Sequence, residues 1–142
     1  MIDLLVLALC IAAFGAAAYA DLGSGAIPNW THLVLLAAGL LRMVATGTYL
    51  DPLLGFVGLG GCTLLLGALK GGIGGGDVKL IAASGIVFGL SLGFWGLLFS
   101  LLFSLSYALG VFLFRKRKIV SVYYAPFHAA GFLFAFILNG GF

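Results

Sequence analysis

Residues 78–114 read VKLIAASGIVFGLSLGFWGLLFSLLFSLSYALGVFLF, and Lys79 is the one charged side chain among them. A membrane-spanning helix takes roughly 20 mostly apolar residues. This stretch is therefore long enough to cross twice, with a turn expected where Gly and Ser cluster near Gly89–Trp95. Working outward, further apolar segments lie at about 3–20, 29–49, 52–70 and 122–139, the second opened by Pro28 and the third by Pro52. Proline fits the start of a helix because its missing N–H would have no partner there anyway. The expected fold class is all-α: a polytopic transmembrane bundle of about six spans, forming a single domain over 1–142 with no soluble part.

Composition leads to the same class. Of 142 residues, 63% are hydrophobic and only 8% charged, too few to solvate a globular surface that ordinarily carries about 25%. Cys10 and Cys62 lie in apolar runs as small hydrophobes, and with no CxxC pair there is no zinc or redox motif. Ala18-Tyr19-Ala20 has the look of a signal-peptidase site, but the acidic start Met1-Ile2-Asp3 lacks a basic n-region, so no cleavage is expected.

The net charge of +3 comes mostly from Arg115, Lys116, Arg117 and Lys118. Basic residues mark cytoplasmic loops, so 21–28, 71–77 and 115–121 are expected inside and both termini outside. Arg42, inside the second segment, is expected to snorkel outward. The basic run is read as a membrane anchor, and nucleic acid is not an expected partner.

All four acidic residues are Asp. Asp21 follows the first segment and Asp77 opens the fourth, so two full crossings put them on one face. Asp3 and Asp51 fall on the other face, with no catalytic role expected. Two carboxylates that meet in a partly dry site resist double ionisation, so one takes a proton from water while the other, protonated, polarises a carbonyl. Asp77 ends the run Gly71-Gly72-Ile73-Gly74-Gly75-Gly76-Asp77. Each glycine costs a helix about 1 kcal/mol relative to Ala, so a loop is expected here, and it would let an extended peptide backbone approach closely. Lys79 lies two residues on, about 200° around a helix, and should not face the Asp77 carboxylate. His32 and His128 are expected to hydrogen-bond between helices, and Ser100, Ser104, Ser106 and Tyr107 likewise. Gly85, Gly89 and Gly93, four apart, should let helices approach.

Asp21 with Ile27-Pro28-Asn29, then Gly74-Gly75-Gly76-Asp77-Val78-Lys79-Leu80, resembles the type IV prepilin leader peptidases, the GxGD aspartyl proteases of the bacterial inner membrane. Tyr124-Ala125-Pro126-Phe127 is similar to that family's lead-in to its last helix. The resemblance implies that Asp21 and Asp77 are catalytic and that Gly74, Gly76 and Lys79 belong to the active-site loop. It implies prepilin or pseudopilin substrates cut at the cytoplasmic face, with no metal and no cofactor. The chain lacks the cysteine-bearing insert of many members, so it resembles the short, peptidase-only forms that serve Flp/Tad-type pili, and methyltransferase activity is not expected. A small membrane transporter or a secretion-system assembly subunit is the alternative, because carboxylates at a membrane edge also mark ion pathways.

Overall fold

The computed structural model describes residues 1–115 and 122–142. The expected basic anchor, Lys116, Arg117 and Lys118 with the side chain of Arg115, lies outside the described residues. Five helices follow one another: α1 (Ile2–Ser24), α2 (Asn29–Thr46), α3 (Leu50–Lys70), α4 (Gly75–Arg115) and α5 (Tyr124–Leu138). No strand occurs among the described residues, in keeping with the all-α expectation.

The helix ends follow from local chemistry. Gly25 (φ 66°) and Gly47 (φ 68°) take the left-handed conformation that closes α1 and α2, donating their N–H groups to the Asp21 and Met43 carbonyls. Gly71 and Gly72, also at positive φ, end α3 and open the glycine loop. The loop is shorter than expected, because Gly75 and Gly76 already belong to the first turn of α4.

α4 is not one rod. Gly89 (φ 76°, ψ −178°) breaks it into arms 75–88 and 90–115. In a continuous helix Asp77 and Ala108 would stand roughly 45 Å apart at 1.5 Å per residue. Instead both line one cavity, together with Ile81 from the first arm and Leu97 and Leu101 from the second. The chain therefore doubles back at Gly89, at the near edge of the expected turn. Asp51 accepts a hydrogen bond from the Leu90 N–H (3.1 Å), terminating the second arm, while Arg42 donates to the Val87 carbonyl (2.8 Å), terminating the first. Arg42 also lies 4.0 Å from the Phe142 ring centre. So Arg42 turns onto the bundle rather than snorkelling away from it.

The count of six spans is corrected. Three helices are long and apolar enough to cross a membrane, α1, α3 and α4, and because α4 breaks at Gly89 it is the second arm, 90–115, that has the length. α2 begins with the polar Asn29, Thr31 and His32 and carries Arg42, and α5 has only 15 residues before the chain turns at Asn139. The first arm of α4 is likewise shorter than the roughly 20 residues a span needs.

The core is aromatic and small at once. Phe14, Phe88 and Phe132 meet at its centre, with centroids 5.3–6.2 Å apart. α3 packs on the first arm of α4 where Gly55 faces Gly85 and Gly60 faces Ala82, backbone against backbone. Gly93 is pressed on Leu59, so two members of the expected Gly85–Gly89–Gly93 set make close contacts and Gly89 supplies the break. Outward-facing leucines of α3, among them Leu53, Leu64, Leu65 and Leu69, give an apolar exterior suited to lipid. Cys10 is buried as expected; Cys62 instead faces outward.

Candidate active site

Asp21 sits in the last turn of α1 rather than in a loop, because the helix runs one turn further than expected, to Ser24. It is only 6% exposed. Its Oδ2 accepts a hydrogen bond from the Ala125 N–H at 3.0 Å. That N–H belongs to the first turn of α5, where no intrahelical carbonyl is available, so the carboxylate meets an otherwise orphaned donor. A negative charge is also favoured there by the helix dipole.

Asp77 sits in the first turn of α4, where the same electrostatics favour a carboxylate. It is half-buried, and its carboxyl lies against Gly74: a Cβ at residue 74 would stand 3.1 Å from Oδ2. Gly76 packs on Ile27, where a Cβ would meet the isoleucine side chain at 3.5 Å. The His32 Nε2–H donates to the Gly76 carbonyl at 3.1 Å, one residue before Asp77. Lys79 is exposed and donates to Asn29 Oδ1 at 3.4 Å. Two residues at the start of α2 thus hold the start of α4, and Lys79 points to α2 rather than to the Asp77 carboxylate.

Both carboxylates line one cavity of about 690 Å³. The lining combines polar groups, Asp21, Asp77, Thr63, Tyr124 and the backbone of Gly72 and Gly74, with apolar side chains, Leu66 on α3, Ile81 on the first arm of α4 and Leu97, Leu101 and Ala108 on the second. Asp51 is elsewhere, at the Gly89 break. No group of three or more metal-ligating side chains occurs among the described residues.

Three partners of the site were not singled out from sequence for these roles. The Ala125 N–H carries no side-chain signal at all. His32 was expected to bond between helices, but not to the residue before Asp77. Tyr124, named in the sequence only as part of the lead-in to the last helix, lines the cavity and stands 3.4 Å from His128 Nδ1. The one-turn spacing of residues 124 and 128 was a usable signal for that contact. Of the expected interhelical serines, Ser100 donates to the His128 carbonyl (3.3 Å) as well as to Gly96 within its own helix (2.6 Å), whereas Ser104 bonds only within its helix.

A family model described as the type IV leader peptidase family matches residues 6–114. No curated protein and no solved structure matches the chain significantly.

Proposed function

The chain belongs to the type IV leader peptidase family, and from that premise we propose that it is an aspartic endopeptidase whose working pair is Asp21 and Asp77. The observation that carries this reading is that the two acids, from α1 and α4, open into a single cavity beside a glycine loop. Family membership supports a peptidase. The cavity's lining supports the aspartic type, because it offers two acids and, among the described residues, no metal-binding cluster.

Hydrolysis needs a water, a base and an acid. Two carboxylates within reach of one another hold a single negative charge between them more readily than two. The ionised member takes the proton of a water lying between them, and the protonated member donates to the scissile carbonyl oxygen. The tetrahedral intermediate then collapses as a proton passes to the departing amine. That proton comes from the acid that took one from water, while the other regains a proton from the intermediate's hydroxyl, so collapse returns both acids to their starting states. Asp21, held by the Ala125 N–H in a nearly closed corner, is the member whose position is fixed. Gly72 and Gly74 leave room beside Asp77 for an extended peptide backbone.

The substrate class follows from the shape of the site and from the family. A prepilin carries a short basic leader followed by an apolar helix. The acids and glycine backbone of the cavity suit the extended cleavage segment, and its apolar side chains, Leu66, Leu97, Leu101 and Ala108, suit the helix after it. Cleavage is assigned to the cytoplasmic face of a bacterial inner membrane, on the strength of the basic residues Lys70, Lys79 and Arg115–Lys118 that flank the loops 71–77 and 115–121. Gly74 shapes the loop beside Asp77, while Gly76 and Lys79, at the start of α4, seat that helix against Ile27 and α2; none of the three reacts.

The test uses the full chain in proteoliposomes with a purified prepilin. Wild type should release the leader, and neither Asp21→Asn nor Asp77→Asn should. Cleavage by either variant at the wild-type rate overturns the assignment, and ion flux without cleavage would favour a transporter.

A further inference from the structure

His128 is fully buried in α5 among aromatic rings, with Phe132 at 4.3 Å and Phe14 edge-on at 5.5 Å between centroids. A phenylalanine would fill that space, and an imidazole there costs free energy unless its nitrogens are bonded. Both are. Ser84, also fully buried, has one hydroxyl proton, which it donates to the Leu80 carbonyl at 2.8 Å. With that bond made, its oxygen accepts from His128 Nε2, 2.8 Å away, which assigns the ring proton to Nε2. Nδ1 is left as an acceptor, and the Tyr124 hydroxyl donates to it across 3.4 Å. With its proton committed and no solvent access, Ser84 is not a nucleophile.

The ends of this chain of bonds matter more than its middle. Tyr124 opens α5, one residue before the Ala125 whose N–H holds Asp21. Ser84 lies on the first arm of α4, two turns beyond Asp77 and on the same face. The bonds thus tie the backbone that holds one acid to the helix that carries the other. We propose that His128 is a positioning residue that sets the separation of the Asp21 and Asp77 carboxylates; the inference rests on the reading that this pair is catalytic.

The separation of two carboxylates governs how strongly the first ionisation opposes the second, and hence how far apart the two limbs of the pH–rate profile lie. His128→Phe keeps the ring volume. It strands no buried polar group, because Ser84 retains Leu80 and Tyr124 stands at the cavity wall. With the full-length protein in proteoliposomes and a purified prepilin, His128→Phe should lower kcat by about 10–100-fold, the scale set by misplacing a reacting group by about 1 Å. KM should stay within about 2-fold, and the limbs of the kcat profile should shift relative to wild type. Ser84→Ala should act in the same direction more weakly. His128→Gln, whose amide can still donate to Ser84, should recover part of kcat.

A folded His128→Phe protein with wild-type kcat and unmoved limbs overturns the proposal, as does a loss confined to KM. If His128→Phe does not fold, Ser84→Ala decides, and an unchanged kcat and profile there overturns it equally. The underlying reading fails separately: a wild-type protein that cuts no prepilin, or an Asp77→Asn protein that cuts normally, removes both, whereas an active wild type with an indifferent His128 removes this inference alone.

Discussion

At one end of the 75–88 arm, Asp21 and Asp77 open into a cavity; at the other, Asp51 and Arg42 are spent on backbone. Both ends use a glycine-dependent interruption, and both recruit charged side chains from different helices into an apolar bundle. At the Gly89 break the charges terminate helices. Asp51 takes the Leu90 N–H, Arg42 takes the Val87 carbonyl, and the guanidinium is covered by Phe142. At the acid end Asp21 meets one backbone N–H, and a carboxylate has further lone pairs to offer. The contrast separates two reasons for keeping a charge in a membrane bundle. One closes a break in the backbone, and the other leaves bonding capacity facing a space that a substrate can enter.

That contrast breaks most sharply under charge removal. Asp21→Asn and Asp77→Asn should each lower the initial cleavage rate by about 10³-fold or more, within the range for losing a general acid or base. Asp51→Asn, which still offers an oxygen to Leu90, should stay within about 3-fold by the same assay. Equal losses at Asp51 and Asp77 would erase the distinction between the two ends.

A methyl group at each interruption sharpens it. Gly89→Ala puts a side chain at positive φ and into the Asp51 carboxylate, and should destabilise the protein by about 2–3 kcal/mol, read as a lower melting temperature in detergent. Gly74→Ala meets only the flexible end of Asp77 and should leave melting unchanged while cleavage falls about 10-fold, because the carboxylate is displaced. The smallest effect belongs to the helix cap. Asp51→Ala should lower stability by about 1 kcal/mol with cleavage kept, and Asp51→Asn should restore the melting temperature.

Much of this was legible beforehand because acids are so rare in the chain. With four of them, each at or near the end of an apolar segment, Asp21 and Asp77 stand out beside turn-forming residues. The parity of crossings that grouped them does not carry over, since α2 is not among the helices long and apolar enough to cross, and it is the shared cavity that brings them together. The all-helical class was equally open to reading, since hydropathy reports burial in lipid directly. The span count was not. An apolar run of the right length says nothing of where backbone stops being helical, and α2 and α5 are cut short by Gly47 and by the turn at Asn139. The Gly89 break was placed only to within a few residues, because Gly89, Ser91 and Gly93 look alike locally. The selection comes from Asp51 and Arg42, which are distant in sequence. The bond from Ala125 to Asp21 was beyond sequence reading altogether, because a main-chain N–H has no residue identity.

That bond joins positions separated by 104 residues. A ribosome delivers Asp21 to the bilayer long before it has made Ala125, so the carboxylate waits while every intervening helix is inserted. Its corner closes only once α5 docks. A chain made only as far as α4 therefore carries both acids without the contact that steadies the first.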